Sequence, residues 1–97
     1  MSEPVEFLRE MGITHRAFFR TLVNAVEGRP YTVDGLNITI EDGDNRIHIE
    51  LSDEWKRQIA TIRMPVTNVT WRFVGHTLTE AQAIMDRFEI YYRRGGG

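Results

Sequence analysis

Between Tyr31 and Leu51 the chain alternates apolar and polar residues across two glycine-containing turns, a pattern that commits this stretch to antiparallel sheet. Asp34-Gly35 stands between Val33 and Leu36 and is a strong hairpin signal, because a type I′ turn needs two residues that tolerate positive φ. In that register Val33 pairs with Leu36 and Tyr31 with Ile38. A second turn at Asp42-Gly43-Asp44-Asn45 pairs Ile40 with Ile47, Ile38 with Ile49 and Leu36 with Leu51. The two turns agree on which face is apolar. Asn37, Thr39, Glu41, Arg46, His48 and Glu50 fall on the opposite face, with Glu41 across from Arg46.

After Ser52-Asp53-Glu54-Trp55 the spacing predicts another hairpin, 57–64 with 67–75, turning at Pro65-Val66, where proline suits a tight turn. Ile62 then faces Val69 and Ala60 faces Trp71, with Met64 and Phe73 also inward. Ile59, Thr61, Arg63, Asn68, Thr70, Arg72 and Val74 point outward.

Helices are expected on both sides of this sheet in sequence. Ser2 can cap a short one, with Pro4 in its first turn, Val5, Leu8 and Met11 at helical spacing and Gly12 as the stop. Thr14 can cap a second over 15–27, whose stripe is Phe18, Phe19, Leu22, Val23 and Val26, with Gly28 ending it. Thr79 and Gln82 form a capping box for a last helix, in which Ala81, Ile84, Met85, Phe88 and Tyr92 share one side and Glu89 can support Arg93.

Two apolar helical stripes and one apolar sheet face imply an α+β fold: a two-layer sandwich in which N-terminal and C-terminal helices cover one face of an antiparallel meander of about five strands. The element order is α-α-β-β-β-β-β-α. Residues 1–94 form a single domain and 95–97 a flexible glycine tail. Ninety-seven residues suffice for one core and not for two.

The chain has no cysteine, which excludes disulfides, thiolate metal sites and thiol redox chemistry. His15, His48 and His76 are scattered, none with a partner at ligand spacing, so no metal and no cofactor is implied. Met1-Ser2-Glu3-Pro4 lacks the character of a secretory signal and no window is apolar enough to span a bilayer, which points to the cytoplasm and away from membranes. No nucleophile elbow, phosphate loop or convergent carboxylate pair marks an enzyme.

Two surfaces carry the functional expectations. The uncovered sheet face presents Ile59, Arg63, Arg72 and Val74, a mixed aliphatic and arginine patch suited to a protein partner or a second copy of the chain. Nucleic acid is not expected there, since Trp71 and Phe73 turn inward and leave no aromatic platform. The alternative is a small anionic ligand, or an enzyme site, at the last strand-to-helix junction, where Gly75, His76, Thr77 and Thr79 gather backbone donors, hydroxyls and an imidazole. The net charge of −2 conceals a division: residues 31–54 hold seven acids against Arg46, whereas 55–97 hold seven bases against three acids.

Overall fold

The computed structural model describes residues 3–95. In chain order the elements are β1 (Val5–Met11), α1 (His15–Ala25), β2 (Tyr31–Asp34), β3 (Asn37–Asp42), β4 (Asn45–Leu51), β5 (Trp55–Ile59), β6 (Ile62–Val74) and α2 (Leu78–Gly95). The class is α+β. The antiparallel strands run β1-β6-β4-β3-β2, and β5 pairs with β6 alone.

The middle segment forms as its alternation requires. Ile40 pairs with Ile47 and Ile38 with Ile49, all four fully buried, and Leu51 N–H donates to the Leu36 carbonyl at 2.9 Å. Glu41 meets Arg46 across the strands at 3.3 Å. The β2–β3 register, however, differs from the expected one by two residues: Asp34 pairs with Asn37 and Val33 with Ile38. Gly35 adopts a φ of 63° and Leu36 keeps a negative φ, so the loop is Gly35-Leu36, in the type II′ manner rather than type I′. A slip of two preserves the faces, and the apolar side survives the correction.

The N-terminal segment is a strand rather than the expected helix. Val5, Leu8 and Met11 fit a helical spacing, but Val5, Phe7 and Met11 fit alternation equally well, and pairing decides between them. Seven residues make a marginal helix in water, whereas as β1 they pair with β6 from Val5↔Phe73 to Met11↔Thr67 and satisfy the backbone. Phe7 meets the Phe73 ring edge to face, with centroids 5.7 Å apart. Leu8, assigned to a helical stripe by its spacing, is 71% exposed on the other side of the strand.

α1 starts where Thr14 caps it, the Thr14 hydroxyl accepting from Ala17 N–H at 3.1 Å. It stops at Ala25, short of the expected end, because Glu27 and Gly28 both turn to positive φ. Phe18, Leu22 and Ala25 enter the core while Val23, expected in the stripe, is exposed. α2 contributes Ala81, Met85, Phe88 and Tyr92, and its Glu89 holds Arg9 of β1 at 2.9 Å rather than Arg93. Trp71 lies at the centre, packed on Phe18, Phe88 and Tyr92. Side chains of both helices thus share one core cluster with Ile38, Ile40, Ile47, Ile49, Val69 and Phe73. α2 continues through Gly95, the first residue of the expected tail, and Gly96 and Gly97 lie outside the described residues.

Candidate functional site

β6 is thirteen residues long and does two jobs. From Thr67 to Val74 it is the centre of the sheet, with β1 on one side and β4 on the other; from Ile62 to Val66 it pairs only with β5. The hairpin formed by β5 and the first part of β6 is an arm extending past the core, and the molecule measures 48 Å along its longest axis against 24 and 23 Å across it. The turn lies at Ala60-Thr61 and not at Pro65-Val66, because Ile59 pairs with Ile62 and Lys56 with Pro65. Proline is tolerated inside the strand since β6 has left β1 at this point and has a partner on only one side. Ala60 accepts a φ of 54° at the tip, a conformation that an L-residue adopts at a cost of about 1 kcal/mol.

A bulge sets the direction in which the arm presents its apolar side. Between the pairs Leu51↔Val69 and Trp55↔Val66, residues 52–54 stand against 67 and 68, so one strand carries an extra residue. The insertion reverses the parity of the chain. Odd-numbered residues of β4 face the core, whereas Trp55, Arg57 and Ile59 share a face with Ile62, Met64 and Val66, which is the even-numbered face of β6 that continues as Asn68, Thr70 and Arg72.

Contacts at the base of the arm agree with this. Trp55 Nε1 donates to Asn68 Oδ1 at 3.1 Å, Arg57 pairs with Glu10 of β1, and the Arg57 guanidinium lies 5.3 Å from the centre of the Trp55 ring. Beyond that base Ile59 is 56% exposed, Ile62 60% and Met64 43%. Fully burying a side chain of this kind is worth about 1.5–3 kcal/mol, a gain the folded chain realises only in part at three positions on one ribbon. Ile62 and Met64, expected inward, are therefore exposed on the arm together with Ile59.

The four residues expected to make an interface are divided by this geometry. Ile59 lies on the apolar side of the arm and Arg63, paired with Gln58, on its other side; Arg72 and Val74 are on the sheet, about 30 Å along β6 from Arg63 at the usual strand rise. Arg72 is engaged by Glu6 at 2.7 Å. Around it His48, Thr39, Asn37, Glu50 and Thr70 line a shallow groove of about 330 Å³. Thr39 Oγ1 lies 3.3 Å from His48 Nδ1.

The strand-to-helix junction is organised around carboxylates. Gly75, at φ 94°, lies so close to the Asn45 side chain that a Cβ there would collide with it. His76 is buried, its Nε2 2.7 Å from Asp42 Oδ2, while Asp42 Oδ1 accepts from Arg29 Nε at 2.9 Å. Burial alone would raise the Asp42 carboxyl, but Arg29 and His76 together hold it below the usual range. Thr77, not Thr79, opens α2: its hydroxyl accepts from Glu80 N–H at 3.1 Å and its N–H donates to Glu80 Oε1 at 2.8 Å, a capping box two residues ahead of the expected one. An incoming anion would meet the Asp42 and Glu80 carboxylates here. The same end of the molecule holds Glu27, which hydrogen bonds from Arg87, against the effect of burial and with help from Tyr91 and Arg29, bring down to about 2.

His15 stays at the start of α1, its N–H donating to Glu54 and its Nε2 2.7 Å from the Ser52 carbonyl. Among the described residues no group of three His, Asp or Glu side chains converges as metal ligands, and no helix is long and apolar enough to cross a membrane. Comparisons of the chain with protein-family models, curated proteins and solved structures return no match.

Proposed function

We propose that this chain is a small cytoplasmic accessory domain that acts by protein contact, with the β5–β6 arm and the adjoining uncovered side of a two-layer α/β sandwich as its binding surface. The observation that carries this reading is the change of apolar side along β6. Val69, Trp71 and Phe73 are buried on one face, whereas Ile62 and Met64 are exposed on the other, where neither helix of this chain contributes to covering them. Single exposed aliphatic residues are ordinary; a contiguous set on a projecting ribbon, backed by Arg57 and Trp55, has the composition of an interface core. Ile59 and Arg63 belong to this surface on the arm, Arg72 and Val74 to its continuation on the sheet.

A photo-crosslinking residue placed at position 62, with a control at exposed Ile90 on α2, tests the reading in the source cells. Adducts to protein at 62 and not at 90 are expected. Absence of adducts at 62, or equal labelling at both positions, would overturn it.

A further inference from the structure

We infer that the occupant of the arm's apolar side is a second copy of this chain, packed arm against arm about a two-fold axis; this rests on the protein-contact reading above. The first reason is charge. Residues 55–66 contain no acid; Lys56 and Arg63 lie on the reverse side of the ribbon from Ile59, Ile62 and Met64, and Arg57 on the same side, whereas the sheet beside the base of the arm presents Glu50 and Asp53 together with the Glu10 that Arg57 engages. A nucleic acid or an anionic bilayer attracted by the arm would be repelled by its base, and Arg57 is already spent on Glu10. An acidic surface next to a basic ribbon fits another copy of itself.

The second reason is symmetry. In a two-fold contact the same patch serves both partners, so it must complement itself when reversed. Here the apolar residues Ile59, Ile62 and Met64 lie toward the tip and exposed Leu8 lies on the same side of the sheet beyond the base. Reversing one copy on the other brings the tip of each arm over the base of its partner, setting aliphatic groups against Leu8 and Met64. Arg63, next to the tip, then comes within reach of the partner copy's acidic base, since its long side chain can pass the unpaired edge of β6.

The size of the patch sets the affinity. A ribbon of five residue pairs covers less than the roughly 800 Å² per partner of a stable interface, so the contact must extend onto the sheet around Leu8, and a dissociation constant in the micromolar range is expected.

Sedimentation equilibrium of the full chain from about 5 to 500 µM tests this. A reversible monomer–dimer equilibrium is expected. Ile62→Asp should raise the dissociation constant at least tenfold, and Arg63→Glu should weaken it severalfold, with recovery when combined with Glu50→Lys. Unchanged circular dichroism and unfolding midpoints establish that these exposed-site variants are folded. A wild-type chain that stays monomeric throughout, or a dimer indifferent to Ile62→Asp, would overturn the inference. A monomeric chain that still crosslinks through position 62 to a different protein overturns self-association while leaving the protein-contact reading in place; a monomer without adducts overturns both.

Discussion

The two parts of β6 have the same alternation and opposite fates. In Thr67–Val74 the odd-numbered side chains Val69, Trp71 and Phe73 are buried in one cluster with side chains of both helices; in Ile62–Val66 the even-numbered Ile62 and Met64 stand in solvent on the other side. Both are amphipathic strands. What differs is the company: the inner part has strand neighbours on both sides and shares the buried cluster with side chains of both helices, while the outer part has one strand neighbour, β5, turned by a one-residue bulge. Alternation therefore identifies a face that needs covering without saying what covers it.

This contrast should appear as a large difference in response to substitution. Phe73→Ala removes a fully buried ring that Phe7 packs against, and a loss of about 3–5 kcal/mol is expected in urea unfolding, while Ile62→Ala should cost under about 0.5 kcal/mol in dilute solution. Comparable losses at the two sites would break the contrast by making the arm part of the core.

A smaller effect is expected where the sheet turns into α2. Gly75→Ala must hold a left-handed φ and displace Asn45, for which about 1–3 kcal/mol is expected from the same unfolding measurement. An unchanged midpoint would mean that the junction yields easily, and that the inner part of β6 is less rigidly fixed than its packing implies.

The acid response of the core end should be smaller still and should be missing from the arm, which has no carboxylate. Glu27 is held near a pKa of about 2 when folded, well below its ordinary value of 4.5, so its contribution to stability is complete above the ordinary value and disappears as the pH falls from about 5 toward 2. Asp42 acts in the same direction. Glu27→Gln should cost about 1 kcal/mol at neutral pH, solvent screening of Arg87 being considerable, and should flatten the acid limb of the curve of unfolding midpoint against pH. A variant whose acid limb matches that of the parent would remove Glu27 from this role.

Much of the fold was legible because it is local. Two-residue turns and period-two alternation between Tyr31 and Leu51 are properties of neighbouring residues, and even a register error of two left the apolar face intact. β1 is hidden because Val5, Leu8 and Met11 fit a helix while Val5, Phe7 and Met11 fit a strand, and only pairing with a strand some sixty residues away decides. The arm is hidden for a related reason. Pro65 carries a turn signal and sits in a strand, while the true turn at Ala60-Thr61 carries none, since Ala60 is an unusual residue for positive φ. A turn at Pro65-Val66 places Ile62 and Met64 on the buried side, whereas the turn at Ala60-Thr61 leaves them exposed. At the junction Thr77 with Glu80 and Thr79 with Gln82 both spell a capping box; where β6 ends determines which one forms. The Arg29–Asp42–His76 cluster brings together residues from three distant parts of the chain, and no spacing announces it.

Amide hydrogen exchange along β6, followed at several protein concentrations, tests the division of this strand most directly. Amides of residues 67–74 are expected to exchange only on global unfolding at every concentration, while those of 62–66 that are bonded to β5 exchange by local opening when dilute and gain protection as the concentration rises. Uniform protection along the whole strand, independent of concentration, would contradict the account and make the arm an ordinary extension of the core.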